Sequence, residues 1–342
     1  MNISDMKTFE LPFADESRYI VFSDCHRGDG TAGDEFARNS MVYKFALEYY
    51  LGEGFSYIEL GDAEELWENS EFTQIYITHT SVYDVLAKFH DPDPQRTRYI
   101  KIWGNHDLDW QDDVGPLRAI FPGIEVYEAA IIREKGDSSL FSPVGGAILL
   151  IHGHQADPVC YGWRARVSRW MVRNLWRRVQ NLNILDPTTR AAENPGRCNE
   201  IDRIIRDRAL FSKGPEKGKG IIRDRALFPK GTGNRAQSLI TLITVAGHTH
   251  RPVFAGLSLT ERRLLEGGAR GMPGIARRDA PEPTYYNTGA CVLPRCITGI
   301  EITAHRDAGG LLRPRFELVK WAVQPASPEN PTLAISRTVL QN

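Results

Sequence analysis

Short apolar runs recur along the first half of the chain, and each of them ends directly in polar residues. Four runs rich in Ile, Val, Tyr and Leu lie at residues 19–23, 56–60, 99–103 and 147–151. Their length and composition predict buried β-strands. Between the first two runs, apolar side chains recur at helical spacing, at Val42, Phe45, Ala46, Tyr49 and Tyr50. This spacing predicts a helix packed on a sheet, and therefore an α/β core.

The pattern changes between residues 160 and 235 and then returns. This stretch has few strand-like runs, many Arg residues and the Gly- and Lys-rich piece SKGPEKGKG. We interpret it as a helical, basic, lid-like insertion within a single domain that spans residues 1–342. The octapeptide IIRDRALF occurs in it twice, at 204–211 and 221–228, which predicts two similar helical turns. After residue 240 the strand-like runs resume with alternation that favours antiparallel pairing.

The charge of the whole chain is almost balanced, but its two signs are separated along the sequence. The 42 Lys and Arg and 43 Asp and Glu give a formal charge of −1. Residues 161–230 alone hold 17 basic and 7 acidic side chains, so this stretch carries +10 and the remainder carries −11. The total therefore does not exclude an anionic partner, and it indicates where one would bind.

The sequence favours a cytoplasmic location. The five cysteines form no CxxC pair, so neither a disulfide framework nor a cysteine zinc site is indicated. Acidic residues occupy the start of the chain, where a signal peptide would be basic and then apolar. No run approaches the ~18 apolar residues that a spanning helix requires.

Six of the nine histidines lie in polar clusters that follow predicted strand ends. In chain order the clusters are SDCH at 23–26, GDAEELW at 61–67, GNHD at 104–107, HGH at 152–154 and GHTH at 247–250. Carboxylate, imidazole and amide groups are the mixed ligands that suit Mn, Fe, Zn or Mg. Residues i and i+2 of an extended segment point the same way. Asp24 and His26 in the first cluster, and His248 and His250 in the last, can therefore each direct two ligands to one place.

At these five clusters the chain resembles the calcineurin-like metallophosphoesterase superfamily, whose motifs DxH, GDxxE/D, GNHD/E, H and GHxH occur in this order. The resemblance implies a four-layer αββα sandwich of two mixed sheets with two divalent metal ions. Mn²⁺ is the first expectation, and Fe, Zn and Mg are the alternatives. The implied ligands are Asp24, His26, Asp62 and His250 for one ion, and Asp62, Asn105, His152 and His248 for the other. The implied catalytic residues are His106, which contacts the phosphate and protonates the leaving oxygen, and Asp107, which orients His106.

Two such ions lower the pKa of a water between them and clamp the phosphoryl oxygens, so hydroxide attacks without a side-chain nucleophile. We therefore expect a hydrolase of phosphoester or pyrophosphate bonds. Because some superfamily members have lost ligands and act as scaffolds, an inert binding module is the alternative from another class. No ligand position of the motif set is missing from this sequence.

A narrower resemblance concerns the substrate. GDAEELW at 61–67 and GHTHRP at 247–252 are similar to the motifs of UDP-2,3-diacylglucosamine hydrolases of lipid A synthesis. Those enzymes also place a helical lid between the HG and GHTHRP motifs. The resemblance implies a lipid-linked or nucleotide-diphosphate-lipid substrate. The chain departs from that family at His106, where its members usually have Arg.

Residues 161–180 predict an amphipathic helix. Its candidate substrate contacts are Trp163 and Trp170 in an apolar stripe, with Arg166, Arg169 and Arg173 beside it. Such a helix suits an anionic bilayer, which would make the protein peripheral to the inner face of the membrane. Packing on the protein's own core and closure over acyl chains are the alternatives.

Arg27, His154 and Arg251 adjoin ligand positions and are further candidate phosphate or substrate contacts. A nuclease or nucleotide phosphodiesterase is the rival enzyme, because a stretch of +10 charge can follow a phosphate backbone. Few loop aromatics are present for base stacking, which places nucleic acid second. The sequence does not indicate an oligomeric state.

Overall fold

A computed structural model of the protein describes residues 6–31, 33–69, 71–134, 147–157, 160, 195–211, 240–241, 243–258, 285–325 and 333–342. The strands are β1 Thr8–Phe13, β2 Arg18–Phe22, β3 Ser56–Leu60, β4 Tyr99–Ile102, β5 Val126–Tyr127, β6 Ala129–Glu134, β7 Ile148–Ile151, β8 Leu210–Phe211, β9 Ile240–Thr241, β10 Ile243–Ala246, β11 Val253–Phe254, β12 Leu257–Ser258, β13 Tyr285–Asn287, β14 Cys296–Arg306, β15 Leu312–Pro325 and β16 Leu333–Gln341. The α-helices are α1 Ser40–Gly52, α2 Phe72–Thr78, α3 Thr80–Phe89, α4 Gly115–Arg118 and α5 Pro195–Ala209. Short 3-10 turns lie at Phe36–Arg38, Leu108–Gln111 and His154–Ala156.

Two mixed sheets of seven strands each form the centre of the described structure. The first sheet has the order β16-β15-β14-β2-β3-β4-β5, and the second has the order β1-β6-β7-β10-β13-β11-β12. Strands β2 to β5 run parallel in the first sheet, as do β7, β10 and β13 in the second. Aliphatic side chains from both sheets fill the space between them, among them Val21, Ile58, Leu150 and Val245.

Helices cover the outer face of each sheet. Helices α1 and α3 bury Val42, Ala46 and Leu86 in the cluster that lies on the first sheet. Helix α5 packs Ile201 and Ile205 on the outward-facing residues of the second sheet. The layers are therefore helix, sheet, sheet and helix, and the predicted αββα sandwich is confirmed.

The predicted strands are present as β2, β3, β4 and β7, and the predicted helix is present as α1. Val42, Ala46 and Tyr50 of the expected stripe are buried, but Tyr43 and Leu47 take the places of Phe45 and Tyr49 in the buried face. Tyr43 and Leu47 are fully buried, whereas Phe45 and Tyr49 are 45% and 41% exposed. The rings of Phe45 and Tyr49 lie edge-on to Trp321 of β15, with centroids 5.9 and 5.1 Å away. A neighbouring strand therefore supplies a partner that the local spacing cannot reveal.

The predicted insertion is described only in part. Helix α5 lies in it and includes the first six residues of the first IIRDRALF copy. The second copy at 221–228 and the predicted helix at 161–180 lie outside the described residues. So do the five candidate contacts Trp163, Arg166, Arg169, Trp170 and Arg173. Of the helices that the structure describes, none is long and apolar enough to span a membrane.

Candidate metal centre

Loops that follow the carboxyl ends of five strands meet at one edge of the sandwich. Strands β2, β3 and β4 of the first sheet and β7 and β10 of the second lead to Asp24, Asp62, Asn105, His152 and His248 respectively. The loops are bonded across the two sheets. The backbone N–H of His248 donates to Asp24 Oδ2 at 3.0 Å, and His152 Nδ1 donates to the Leu60 carbonyl at 2.9 Å. Both sheets therefore contribute to one site.

Among the described residues, four groups of three side chains hold their ligand atoms within 4.8 Å of one another. Two of these groups consist of predicted ligands alone: Asp24, His26 and His250 form the first group, and Asp62, His152 and His248 form the second. His250 Nε2 lies 3.1 Å from Asp24 Oδ1. Asp62 Oδ2 lies 3.8 Å from His26 Nε2 and 3.1 Å from His152 Nε2. The Asp62 carboxylate is thus between the two groups, where a ligand shared by two cations would lie.

The donors in this site fit divalent cations. Asn105 Oδ1 is buried and accepts no hydrogen bond from the residues that the structure describes. A buried acceptor without a donor is costly, and a cation would satisfy it. The other donors are carboxylate oxygens and imidazole nitrogens, the ligand types that Mn, Fe and Zn accept.

The charges in the site also call for a cation. Burial lowers the pKa of His152, but the Asp62 and Asp24 carboxylates outweigh it and raise that pKa to about 9. Burial raises the pKa of Asp24, but His250 and His152 outweigh it and lower that pKa to about 2. The carboxylates are therefore ionised and draw positive charge towards them. A divalent ion supplies that charge in place of protons on the imidazoles.

The backbone is strained at the predicted ligands. Seven non-glycine residues in the described ranges have a positive φ, and five of them are Asp24, His26, Asp62, His248 and His250, with φ between 50° and 69°. The left-handed region costs an L-residue roughly 1–2 kcal/mol. Strain of this kind persists where surrounding contacts over-determine the conformation, and it clusters at functional sites.

Two glycines allow the loops to approach one another closely. A Cβ atom on Gly104 would lie 2.1 Å from Asp62 Oδ1. A Cβ atom on Gly247 would lie 2.4 Å from Ser23 Oγ and 2.6 Å from Asp24 Oδ2. Glycine is required at both positions because the neighbouring ligand loop occupies the space of a side chain.

His106 is oriented by Glu65. The Nδ1 atom of His106 lies 2.9 Å from Glu65 Oε1, and the other oxygen of the same carboxylate lies 2.8 Å from His26 Nδ1. Trp67 stacks on the His106 ring with centroids 4.3 Å apart. Burial lowers the pKa of His106, but Glu65 and Asp62 outweigh it and raise that pKa to about 10. The ring is thus a fixed cation beside the two ligand groups.

Asp107 has a different task from the one that the resemblance implies. Its carboxylate accepts hydrogen bonds from the backbone N–H groups of Ala63 and Gly104, at 2.9 and 2.6 Å. Burial raises the pKa of Asp107 to about 7, against the opposing charge of Lys101. The prediction that Asp107 orients His106 is wrong, because its oxygens hold the two ligand loops together instead.

Arg27 does not face the site. Its side chain is fully buried, and its guanidinium donates to Glu59 at 2.8 Å and to Glu64 at 2.6 Å. Lys101 Nζ binds the same two carboxylates at 2.7 and 2.8 Å. We call these four residues the buried ion network. The prediction that Arg27 contacts phosphate is wrong, because the two carboxylates hold its guanidinium inside the protein.

The other two candidate contacts lie next to the ligand groups. His154 is buried with its ring centroid 5.5 Å from that of His152. Burial, together with the charges of His152 and His248, holds the pKa of His154 well below its usual range. Arg251 donates to Asp202 of α5 at 2.6 Å, and about a quarter of its side chain is exposed. Substrate contact by His154 and Arg251 stays a prediction.

Sequence reasoning gave no role to Asp157 and Cys160. Asp157 Oδ2 lies 3.4 Å from His248 Nε2, and the ligand atoms of Asp157, Cys160 and His248 lie within 4.8 Å of one another. The available signal was an acidic residue five positions after His152, on the turn that follows β7. Asp157 therefore borders the second ligand group although no motif includes it.

Comparisons with known proteins add little to this geometry. No family model matches the chain, and no curated protein matches it. A crystal structure of Vps29 from Chaetomium thermophilum aligns over 96% of this chain and 98% of that chain, with a TM-score of 0.32 and 8% sequence identity. A likeness of that size carries no argument about function.

Proposed function

We propose that this protein is a metal-dependent hydrolase of phosphoester or pyrophosphate bonds. The observation that carries the proposal is the position of the Asp62 carboxylate, whose Oδ2 lies 3.8 Å from His26 Nε2 and 3.1 Å from His152 Nε2. The residues that would hold one ion are Asp24, His26, Asp62 and His250, and those that would hold the other are Asp62, Asn105, His152 and His248. Bound there, two divalent ions supply an activated water and positive charge for the phosphoryl oxygens. Mn²⁺ is the proposed metal, and Fe, Zn and Mg accept the same ligands.

The protein's own groups complete the proposed chemistry. Glu65 accepts a hydrogen bond from Nδ1 of His106, which leaves Nε2 for the substrate. Glu65 and Asp62 raise the pKa of His106 to about 10, and a protonated ring can bind a phosphoryl oxygen. Nε2 of His106 can also donate a proton to the leaving oxygen. Trp67, stacked on the ring, restricts its rotation.

Replacement of two ligands tests this proposal. We expect Asp62→Ala and Asn105→Ala to lose Mn²⁺ binding and hydrolysis of a generic chromogenic phosphodiester, while far-UV circular dichroism is unchanged. Asp84→Ala on the exposed face of α3 is the matched control and should behave as the wild type. Turnover retained by either ligand variant would disprove the assignment. A wild-type protein without bound metal and without turnover would favour the inert binding module.

We also propose the substrate class, which is a lipid-linked diphosphate of the nucleotide-diphosphate-lipid type. The support comes from the GDAEELW and GHTHRP motifs and from the +10 charge of residues 161–230. Arg side chains bind diphosphates through paired, charge-assisted hydrogen bonds. The proposed partner is an anionic membrane surface, and the proposed location is the cytoplasm, at the inner face of the membrane.

A comparison of substrates distinguishes a hydrolase of nucleotide-diphosphate lipids from a nuclease. We expect hydrolysis of a nucleoside-diphosphate lipid in mixed micelles to exceed that of single-stranded DNA or RNA at equal phosphate concentration. Sedimentation with anionic vesicles, but not with neutral ones, should accompany it. Preferential cleavage of nucleic acid, with binding that weakens steeply as salt rises, would instead establish the nuclease.

A further inference from the structure

Helix α5, which belongs to the predicted insertion, reaches the loop that carries two of the candidate ligands. Asp202 of this helix is 6% exposed. Its Oδ2 accepts a hydrogen bond from Arg251 Nη2 at 2.6 Å. Its Oδ1 accepts hydrogen bonds from Tyr285 at 2.6 Å and from Thr249 Oγ1 at 3.2 Å. One buried carboxylate thus holds three side chains of the second sheet.

The loop that Asp202 holds is strained. His248 and His250 have φ angles of 69° and 53°, and buried Thr249 lies between them. The Thr249 hydroxyl accepts a hydrogen bond from Asn287 Nδ2 at 3.1 Å and donates its proton to Asp202. Two left-handed residues separated by a single residue require contacts that exclude the relaxed conformations. The side chain of Thr249 is anchored on both sides, which provides such contacts.

A second connection joins the same helix to the same loop. Arg197 of α5 donates to both oxygens of Asp157, at 3.1 and 2.8 Å. Asp157 Oδ2 in turn lies 3.4 Å from His248 Nε2. Helix α5 therefore contacts this loop directly, through Asp202 and the side chains of Thr249 and Arg251. It also reaches the His248 ring indirectly, because Arg197 binds Asp157.

We propose that Asp202 is a positioning residue of the candidate metal centre. By binding Thr249 and Arg251, it keeps His248 and His250 in the left-handed conformation that directs both rings towards the carboxylates. The inference rests on the proposed function, since the ligand for which the rings are positioned is the metal. None of the five motifs contains Asp202, which lies in the predicted insertion and would act on the metal centre through Thr249 and Arg251.

Mn²⁺ affinity measured by isothermal titration calorimetry tests the proposal. We expect Asp202→Ala to weaken Mn²⁺ binding by about 10–100-fold, the usual effect of removing a partner that orients metal ligands. Asp202→Asn keeps one acceptor oxygen for Tyr285 and Thr249, so it should restore much of that loss. The kcat for a chromogenic ester should likewise fall more in Asp202→Ala than in Asp202→Asn. Glu200→Gln, at an exposed position of the same helix, should leave both quantities unchanged.

A second variant separates positioning from general destabilisation. Thr249→Val removes the same hydrogen bond from the side of the loop, so its loss of Mn²⁺ affinity should not add to that of Asp202→Ala. If the double variant Asp202→Ala/Thr249→Val loses Mn²⁺ affinity by the sum of the two single losses, the proposal is overturned. It is also overturned if Asp202→Ala binds Mn²⁺ as tightly as the wild type. If the wild type binds no divalent metal, both the proposed function and this inference fail. If it binds Mn²⁺ and Asp202→Ala is unaffected, only the inference fails.

Discussion

Glu65 uses its two oxygens to fix two imidazoles, those of His26 and His106. A carboxylate can only accept hydrogen bonds, so both rings present a protonated Nδ1 to it and direct Nε2 towards the site. Such partners of metal ligands set the tautomer and raise the basicity of the ligating nitrogen. One side chain therefore prepares both a candidate ligand and the candidate proton donor.

Replacement of Glu65 by Gln should separate these two tasks. Oε2 of Glu65 lies 2.7 Å from His106 Nδ1 and 2.8 Å from His26 Nδ1, and Oε1 lies 2.9 Å from His106 Nδ1. In either orientation the amide therefore presents an NH₂ group to at least one ring. We expect kcat/KM for a chromogenic diester in the presence of Mn²⁺ to fall by about 10–100-fold. Glu71→Gln, at an exposed position six residues further along, is the control. Equal kinetics for Glu65→Gln and the wild type would show that Glu65 orients neither ring.

Gly104 shows how little space the site leaves. A Cβ atom added to Gly104 would lie 2.1 Å from Oδ1 of Asp62 and 2.6 Å from the backbone nitrogen of Asp62, and would therefore overlap that residue. We expect Gly104→Ala to displace the Asp62 loop and to abolish Mn²⁺ binding in a calorimetric titration. Gly52→Ala at the end of α1 is the matched control, since no atom lies within 4 Å of its added Cβ. Normal Mn²⁺ affinity in Gly104→Ala would contradict the steric argument.

At the scale of strands and loops, the features predicted correctly are those that neighbouring residues determine. Buried strands appear as apolar runs, and each motif occupies a few residues at a strand end. The buried ion network could not be predicted in this way. Glu59 and Lys101 interrupt the runs SYIEL and YIKIW, but only the register of β3 against β4 places them side by side. Without that pairing, the position of Arg27 next to His26 predicts a phosphate contact.

The role of Asp107 and the packing of α5 against the ligand loop could not be predicted either, because both depend on contacts between residues that are distant in sequence. Asp107 follows His106 in sequence, yet it binds backbone N–H groups, while Glu65 reaches His106 from a loop 41 residues away. Asp202 contacts Thr249 across 47 residues. A single sequence shows which groups can form hydrogen bonds but not which of them meet. The resemblance implied which motif residues would share a site, and the structure places several of them in two groups at the strand ends.

The buried ion network joins the strands that lead to two ligand loops, and its disruption should destabilise the fold. Lys101→Met leaves Glu59 and Glu64 with Arg27 as their remaining cation, in a fully buried position. Removal of one partner from a buried ion pair costs about 3–5 kcal/mol. We expect a decrease of that size in the free energy of unfolding, measured by guanidinium titration.

The matched control for this substitution is Lys44→Met on α1. Lys44 forms an ion pair with Glu48 at 2.6 Å, and both side chains are about a third or more exposed. Solvent screens such a pair, so we expect a change below ~0.5 kcal/mol. Equal effects of the two substitutions would mean that Glu59 and Glu64 are reached by water or are protonated when Lys101 is removed.

Over the whole molecule, the separated charges acquire a structural meaning. The −11 part of the chain includes the carboxylates of the candidate metal centre, and bound ions would add positive charge that the sequence count omits. The +10 part is the predicted insertion, of which the described helix α5 contacts the loop of His248 through Asp202 and Thr249. Under the proposed function, a polyanionic substrate would bind both the metal ions and basic residues of the predicted insertion.

This arrangement predicts that basic residues of the insertion serve substrate recognition rather than hydrolysis itself. We expect a triple variant with Arg166→Ala, Arg169→Ala and Arg173→Ala to hydrolyse a small chromogenic ester within about twofold of the wild-type rate. Its association with anionic vesicles should weaken strongly, since each basic side chain near such a surface contributes about 1 kcal/mol. Hydrolysis of a nucleoside-diphosphate lipid in those vesicles should fall in parallel.

A triple variant of the described surface provides the charge-matched control. Arg96, Arg118 and Arg315 are exposed at 73%, 48% and 53% of their side chains, outside the insertion. Their replacement by Ala lowers the net charge equally, so vesicle binding should change little if position, rather than total charge, decides it. Equal losses in both triple variants would attribute membrane binding to net charge alone. Loss of small-ester hydrolysis in the insertion variant would instead place these arginines in the hydrolytic site.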